Sequence, residues 1–207
     1  VEADVRSFLD NENNSDVPAG LPEPSDITPL TGMRKAIAAN MKDSLSGSAQ
    51  LSYFLEVDVT EAQKLRRDAG VTLGSMLIKA ASEAIGKVPD LNSVLANGTV
   101  YRFKEINIAF AVALDDGLVV PVIRGVEDKS VSEISEEMSA LSEQARKGTI
   151  KPDQLIGGTF TISILGSVDG FTPILNQGQV ALLGVGRSVQ KPVVKSGEII
   201  IREMMVL

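Results

Sequence analysis

The 207-residue sequence contains no cysteine and no histidine. Without cysteine, disulfide bonds and thiol chemistry by the chain's own side chains are excluded, and an intracellular setting is compatible with the sequence. Without histidine, the chain lacks the commonest general base near neutral pH and the commonest transition-metal ligand. An enzyme built from these residues alone has to use aspartate, glutamate, lysine, tyrosine, serine, threonine or arginine.

Long apolar runs and an excess of basic residues are also lacking. No run approaches the roughly 18–20 apolar residues that cross a bilayer, and no secretory signal pattern opens the chain. The net charge is −7 and the isoelectric point is near 4.7, so we expect no general affinity for nucleic acid or an anionic membrane. The 43% hydrophobic and 23% charged residues suit one globular domain with a short appendage.

Composition divides the chain into three parts. Residues 1–9 (VEADVRSFL) place their apolar side chains on one helical face, but nine residues are too few for a stable isolated helix. We therefore expect them to be the end of an element that begins earlier. Residues 10–27 are polar and carry three prolines, which predicts a linker. The main domain is then expected from residue 28 to residue 207.

The main domain mixes helix and strand patterns. Helices are predicted at 33–45, from a capping-box pattern at Thr60, at 74–87, and from a second capping box at Ser130 to about Lys147. Strands are predicted at 51–59, 93–96, 99–103, 159–165, 180–185, 189–195 and from Glu198, with Asn97-Gly98 and Asp116-Gly117 as hairpin turns. Helices that flank a mostly hairpin-connected sheet predict an α+β fold with a mixed sheet.

Three short patterns do not complete a known motif. Gly184-Val185-Gly186 lacks the third glycine of a dinucleotide-binding loop. Gly166–Gly170 (GSVDG) is not the G-x-S-x-G nucleophile elbow. Asp115-Asp116 is better explained as a solvated turn than as a catalytic carboxylate pair.

Six longer segments carry a more specific signal. They are PLTGMRKAIAANM (29–41), EVDVTEAQKLR (56–66), VPDLNS (88–93), INIAFAVALDDGLVVPVIRGV (106–126), GGTFTISILG (157–166) and FTPILNQGQVALLGVG (171–186). In this order they resemble the catalytic domain of dihydrolipoamide acyltransferases, the E2 cores of 2-oxoacid dehydrogenase complexes, over residues 28 to 207. The resemblance implies a chloramphenicol-acetyltransferase-like core. Residues 1–9 are similar to the tail of the family's peripheral subunit-binding domain.

The resemblance implies transfer of an acyl group between a lipoyl thiol and the thiol of coenzyme A. A protonated thiol is a poor nucleophile and needs a base, and the thioester oxygen needs a hydrogen-bond donor as it gains charge. The family supplies the base as histidine in a C-terminal H-x-x-x-[DN]-G motif. It supplies the donor as a hydroxyl in the F-T-I-S segment, which is Ser163 here. Spacing alone favours an ordinary strand serine.

Arg66 closes the segment EVDVTEAQKLR, where some family members carry an arginine that contacts the phosphates of coenzyme A. A guanidinium group suits that task because it can donate two parallel hydrogen bonds. The alternative is a solvated helix charge beside Arg67. Asp116, Gly117 and Pro121 match the family's hairpin and are interpreted as structural, and no metal site is implied.

The last seven residues, IREMMVL, form an apolar β-rich ending, and the family's histidine motif follows directly after the corresponding strand. We therefore expect the chain to stop before the general base and to be inactive by the family mechanism on its own. A genuine terminal strand is the alternative. The lipoyl group would be carried by a lipoyl domain that is not part of this sequence.

The resemblance also implies partners: a homotrimer that builds a larger core, and E1 and E3 components bound through the subunit-binding domain. It implies a cytoplasmic location, or the mitochondrial matrix in a eukaryote. One rival hypothesis is a non-catalytic scaffold subunit that keeps the fold and lacks the base. Another is a stand-alone acyltransferase of the chloramphenicol-acetyltransferase type, which the linker disfavours. The acyl group, whether acetyl, succinyl or branched-chain, is not readable from these segments.

Overall fold

The computed structural model describes Val17 and residues 20–115 and 117–207. The tail predicted at 1–9 and the first half of the linker predicted at 10–27 lie outside the described residues. Residues 20–31 are exposed and contain no helix or strand. The first helix of the described residues begins at Gly32.

The four predicted helices are confirmed. They are α1 (Gly32–Gly47), α2 (Thr60–Ala69), α3 (Leu73–Lys87) and α4 (Val131–Arg146). Helix α3 starts at a hydroxyl cap, because Thr72 Oγ1 accepts a hydrogen bond from the Ser75 amide at 3.0 Å. Helix α4 starts at the predicted capping box of Ser130 and Glu133. No helix in the described ranges is both long and apolar enough to cross a membrane.

The capping box predicted at Thr60 is wrong. Helix α2 already includes Thr60, and the Asp58 carboxylate accepts hydrogen bonds from the Thr60 amide at 3.0 Å and the Thr60 hydroxyl at 2.5 Å. Thr60 Oγ1 in turn accepts from the Glu203 amide at 2.9 Å. Asp58 thus occupies the Thr60 amide, and the Glu203 amide occupies the Thr60 oxygen that the box would have used as an acceptor, so the start of α2 is bonded to the last strand.

The contribution of the Asp58 carboxylate to stability depends on pH. Hydrogen bonds from Thr60 hold the pKa of Asp58 below its ordinary value. The stabilisation is therefore fully present above the unfolded-state pKa of about 4 and is lost as the pH falls through the lower folded-state pKa. We expect Asp58→Asn to lower the urea midpoint at pH 7 and to approach the wild-type midpoint in acid. This role of Asp58 would be contradicted if the difference in urea midpoint between Asp58→Asn and wild type did not become smaller in acid. It would also be contradicted if Asp43→Asn, at an exposed position, lowered the midpoint equally.

Eleven strands lie in the described residues. They are β1 (Glu56–Asp58), β2 (Ser93–Ala96), β3 (Thr99–Arg102), β4 (Ile108–Phe110), β5 (Val112–Leu114), β6 (Gly117–Val119), β7 (Val122–Ile123), β8 (Phe160–Ile164), β9 (Leu182–Val185), β10 (Ser188–Lys195) and β11 (Glu198–Val206). A mixed sheet has the order β7-β4-β8-β9, an antiparallel sheet has the order β1-β11-β10, and β2-β3 and β5-β6 form two hairpins. The predicted α+β fold with a mixed sheet is confirmed.

Both predicted hairpins are confirmed, whereas one strand is shorter than predicted. Asn97 and Gly98 have φ of 51° and 72°, as a two-residue turn of this kind requires. The second hairpin pairs Leu114 of β5 with Gly117 of β6, so Gly117 belongs to a strand and not to the turn as predicted; Asp116 lies outside the described residues. The strand predicted at 51–59 is reduced to β1, because upstream of it only Leu55 finds a backbone partner, Leu207, with mutual hydrogen bonds of 2.9 Å.

The hydrophobic core lies between the mixed sheet and helices α3 and α4. Ile108 and Ile162 contribute from the sheet and Ile78 and Ile134 from the helices, each with no exposed surface. Strand β8 is parallel to both β4 and β9. The carboxyl ends of β8 and β9 therefore lie side by side, at Ile164 and Val185.

Helix α1 is mostly exposed, and Ser44 is its one buried residue. The Ser44 hydroxyl donates a 2.5 Å hydrogen bond to the Leu175 carbonyl. We expect Ser44→Ala to lower the free energy of unfolding by about 1–2 kcal/mol, because it leaves a partly buried carbonyl without its partner. Ser46→Ala, on an exposed position of the same helix, should change it by less than about 0.5 kcal/mol. Equal effects of the two substitutions would contradict this role of Ser44.

Candidate active site

Ser163 lies near the carboxyl end of β8, in register with Gly184 of β9. It is half-buried, between the fully buried Ile162 and the exposed Ile164. Across the described ranges, no hydrogen bond to the Ser163 hydroxyl is present. The hydroxyl is thus held on a rigid strand and retains its donor capacity for another group.

The face of β8 that carries Ser163 also carries a buried polar network. The Thr161 hydroxyl donates to Gln179 Oε1 at 2.7 Å and accepts from Asn176 Nδ2 at 2.8 Å. Gln179 Nε2 donates to the Gly158 carbonyl at 2.9 Å. These bonds hold the chain segment after Phe171 against β8 at Thr161, which lies two residues before Ser163. They therefore fix the surroundings of the Ser163 hydroxyl.

Arg66 lies on α2 and is half-buried, whereas the neighbouring Arg67 is exposed. Its Nε donates to Gln63 Oε1 at 3.0 Å, which leaves the terminal nitrogens of the guanidinium group for other partners. Arg66 lines a cavity of about 340 Å³. We call this cavity the Arg66 cleft; it is lined by Gln63, Arg66, Leu73, Gly74, Leu77, Ile164, Gly166, Val185, Gly186, Arg187, Ser188 and Met205.

A second cavity, of about 480 Å³, lies along β9, the edge strand of the mixed sheet. We call it the Phe171 cavity; it is lined by Leu51, Tyr53, Phe171, Pro173, Gly184, Leu207 and their neighbours. Side chains alternate along a strand, so Ser163 points to the face of β8 opposite Ile164, which lines the Arg66 cleft. The structure therefore places Ser163 and Arg66 on opposite faces of the same strand end, and Ser163 lines neither cavity.

Two short patterns that complete no motif in the sequence meet in space. The chain after β8 (Gly166–Gly170) packs on the chain after β9, and a Cβ at Gly186 would lie 1.9 Å from the Asp169 carbonyl oxygen. Arg187 donates from its amide to the Val168 carbonyl at 2.8 Å and from its Nε to Asp169 Oδ1 at 2.6 Å. Sequence reasoning missed Arg187 and Asp169; the available signal was a glycine-rich segment after each of two neighbouring parallel strands.

The Asp169–Arg187 pair is ionised over the physiological range. The hydrogen bond and charge of Arg187 lower the pKa of Asp169, and those of Asp169 raise the pKa of Arg187. No carboxylate lines the Arg66 cleft, although the chain as a whole has a net charge of −7. The lining therefore carries two guanidinium groups beside apolar side chains, and Asp169 outside the lining offsets part of the charge of Arg187.

Within the residues that the structure describes, no group of three or more acidic side chains is arranged to hold a metal ion. The chain has no histidine or cysteine to add to such a group. The arrangement around β8 instead offers a hydroxyl donor on one face and guanidinium groups on the other. These groups can stabilise negative charge, but none of them is a strong proton acceptor.

Comparison with known proteins identifies the family. The family model of the 2-oxoacid dehydrogenases acyltransferase (catalytic domain) matches residues 22–207. The chain belongs to this family. The 2-oxoacid dehydrogenase acyltransferase domain accounts for all the strands and helices described above, including β8 with Ser163 and α2 with Arg66.

Solved acyltransferase structures have the same fold. The chain is 34% identical to Azotobacter vinelandii dihydrolipoamide acetyltransferase, with a TM-score of 0.83 over 90% of this chain and 85% of that one. That study concerns the role of a serine, a histidine and an asparagine in the enzyme's catalytic mechanism. The cubic core of a pyruvate dehydrogenase multienzyme complex matches with a TM-score of 0.82 at 34% identity, over 90% of this chain and 85% of that one.

Curated relatives are longer than this chain. The mitochondrial dihydrolipoyllysine-residue succinyltransferase of the Arabidopsis thaliana 2-oxoglutarate dehydrogenase complex is 39% identical over 86% of this chain and 41% of its own length. The chain spans about half or less of the length of the curated relatives it matches. Since the two named relatives handle succinyl and acetyl groups, family membership leaves the acyl group open.

Proposed function

We propose that this chain is the acyltransferase core (E2) of a 2-oxoacid dehydrogenase complex, which moves an acyl group between lipoamide and coenzyme A. The observation that carries the proposal is the position of Ser163. In a domain of the acyltransferase family, it presents a half-buried, uncommitted hydroxyl at the carboxyl end of a rigid central strand. A preorganised donor of this kind suits acyl transfer, in which negative charge develops on a carbonyl oxygen.

Ser163 is proposed as the oxyanion stabiliser and not as the nucleophile. The acceptor thiol loses its proton to a base, and its sulfur forms a bond to the thioester carbon. The carbonyl oxygen then carries the negative charge, which the Ser163 hydroxyl stabilises by donating a hydrogen bond. The bond to the first sulfur breaks as the carbonyl re-forms, and that thiolate takes up the proton.

The Arg66 cleft is proposed as the site for coenzyme A. Arg66 offers terminal guanidinium nitrogens for a phosphate group, and Leu73, Leu77 and Ile164 offer an apolar wall for the rest of the molecule. The Phe171 cavity, which lies along β9, is proposed for the lipoyl arm. Ser163 lies between the two cavities along the chain and the sheet, because its neighbour Ile164 lines the Arg66 cleft and its register partner Gly184 lines the Phe171 cavity.

The general base is proposed to be a histidine that is not among these 207 residues, since the sequence contains none. The Azotobacter vinelandii enzyme, whose mechanism was studied through a serine, a histidine and an asparagine, supports this assignment. On its own the 207-residue chain would then lack a group that typically contributes about 10²–10⁴-fold to the rate. The lipoyl group is proposed to be carried by a domain outside this sequence.

Assembly and location are proposed from the relatives. The similarity to the cubic core of a pyruvate dehydrogenase complex supports a homotrimer that builds a larger core. Residues 1–9, outside the described residues, are proposed as the tail of a subunit-binding domain that holds E1 and E3 components. A cytoplasmic location is proposed, or the mitochondrial matrix if the source is a eukaryote, as for the Arabidopsis relative.

The test is an acyl-transfer assay on the complete gene product. The acyl donors are acetyl-, succinyl- and isobutyryl-dihydrolipoamide, and the formation of each acyl-coenzyme A is measured. Saturable transfer of at least one acyl group supports the proposal, and the preferred donor identifies the complex.

An alternative is a non-catalytic scaffold of the same complex, which the absence of a histidine from this sequence favours. Absence of transfer by an assembled, folded protein would support that alternative.

A further inference from the structure

The Arg66 cleft contains a second guanidinium group. Arg187 lines it together with Arg66, and the two approach from different elements: Arg66 from α2 and Arg187 from the end of β9. Coenzyme A carries several phosphate charges, more than one guanidinium group can neutralise. A cleft with two cations, no carboxylate in its lining and an apolar floor is therefore matched to a ligand that is both polyanionic and partly apolar.

Asp169 fixes Arg187 without lining the cleft itself. Its Oδ1 accepts from Arg187 Nε at 2.6 Å, which uses one of the five donors of the guanidinium group and leaves four. The backbone of the same residue presses against Gly186, at 1.9 Å from an added Cβ. The Arg187 amide also donates to the Val168 carbonyl at 2.8 Å. Side chain and backbone contacts together hold Arg187 in one orientation.

The exposure of Arg187 is consistent with a binding role. Its side chain is 49% exposed, so the remaining donors are accessible to a ligand. An exposed ion pair contributes little to folding by itself, typically about 0–1 kcal/mol. Arg187 is oriented by one carboxylate, is half-exposed and lies in the Arg66 cleft. It is therefore better placed to bind an anion than to stabilise the fold.

We propose that Arg187, oriented by Asp169, is a second phosphate-binding residue for coenzyme A in the Arg66 cleft. The proposal rests on the proposed function, since it concerns the coenzyme A site of that reaction. It assigns Asp169 a positioning role with an opposing electrostatic effect: the carboxylate orients the guanidinium group but also neutralises part of its charge.

Two substitutions with opposite expected signs test the proposal in the complete gene product, by titration calorimetry with coenzyme A and with pantetheine, which lacks the phosphates. Arg187→Gln should weaken coenzyme A binding by about tenfold and leave pantetheine binding unchanged. Asp169→Asn keeps an oxygen that accepts from Arg187 Nε but removes the negative charge, so it should tighten coenzyme A binding by about twofold. Arg67→Gln, on the exposed neighbour of Arg66, is the matched control and should have little effect.

The outcomes separate this inference from the proposed function. If Arg66→Gln weakens coenzyme A binding and Arg187→Gln does not, the role of Arg187 is wrong and the coenzyme A site stands. If both Arg187→Gln and Asp169→Asn weaken coenzyme A and pantetheine alike, the pair is structural and the inference is also wrong. If the wild-type protein transfers acyl groups but Arg66→Gln and Arg187→Gln both bind coenzyme A normally, the site lies elsewhere. If the wild-type protein does not bind coenzyme A at all, both the proposed function and this inference are wrong.

Discussion

Replacing Ser163 with alanine is expected to lower kcat for acyl transfer by about 10²–10³-fold, the loss typical of removing one oxyanion donor. The measurement is steady-state transfer from acyl-dihydrolipoamide to coenzyme A by the complete gene product. Coenzyme A affinity should not change, because Ser163 faces away from the Arg66 cleft. The loss should therefore appear in kcat with little change in KM, as expected for a contact made only in the transition state.

Ser167→Ala is the matched control for this prediction. Ser167 lies four residues further along the same chain segment and is exposed. It should retain wild-type kcat and stability. Ser163→Ala should also retain wild-type stability within about 0.5 kcal/mol, since no hydrogen bond to its hydroxyl is present in the described residues. A kcat of Ser163→Ala within threefold of wild type would contradict the oxyanion role.

Replacing Gly186 with alanine is expected to lower the free energy of unfolding by about 3 kcal/mol, at the upper end of overpacking effects. The added Cβ would lie 1.9 Å from the Asp169 carbonyl oxygen and 2.6 Å from its carbonyl carbon. Both are backbone atoms, so no side-chain rotation relieves the contact, and the chain after β8 or the end of β9 has to move. Urea unfolding followed by circular dichroism measures the change, as the chain has no tryptophan.

Gly166→Ala provides the comparison for Gly186→Ala. Gly166 belongs to the same chain segment and also lines the Arg66 cleft, but an added Cβ there meets no atom within 4 Å. It should change the free energy of unfolding by less than about 0.5 kcal/mol. Gly186→Ala should also weaken coenzyme A binding, because it displaces Arg187. Equal free energies of unfolding for the two variants would contradict the close contact between Gly186 and the Asp169 backbone.

Elements with a strong local signal could be predicted from the sequence. The helices at 33–45 and 74–87 follow from apolar residues at helical spacing and from the proline after the second one. The hairpin at Asn97-Gly98 follows from a turn that few other residue pairs adopt. The capping box at Ser130 is likewise complete within four residues. In each case the residues that decide the structure are neighbours in the chain.

Features that depend on distant partners could not be predicted. The capping box at Thr60 fails because the Thr60 hydroxyl donates to Asp58 and accepts from the Glu203 amide, and Glu203 lies 143 residues away. The strand predicted at 51–59 is cut to β1 because pairing needs a neighbour, which β11 provides only as far as Leu55. β-propensity describes how a residue fits a sheet and does not supply the adjacent strand.

In the candidate site, too, features set by neighbouring residues could be predicted and features set by distant residues could not. The resemblance of segments points to Ser163 and Arg66, and their roles are proposals. Their placement on opposite faces of β8 depends on strand register, which no local pattern gives. The contact of Gly186 with Asp169 brings together two glycine-rich segments that are uninformative when each is read alone. Arg187 gains its candidate role only from that contact.

The most direct test of the central claim is the acyl-transfer rate of the complete gene product and of the 207-residue chain, measured side by side with acyl-dihydrolipoamide and coenzyme A. The proposal predicts saturable transfer by the complete gene product and a rate at least about 10²-fold lower for the 207-residue chain, which has no histidine to act as base. Equal rates for the two chains would show that the base lies among the residues described above. No transfer by either, from folded and assembled protein, would contradict the assignment as an acyltransferase.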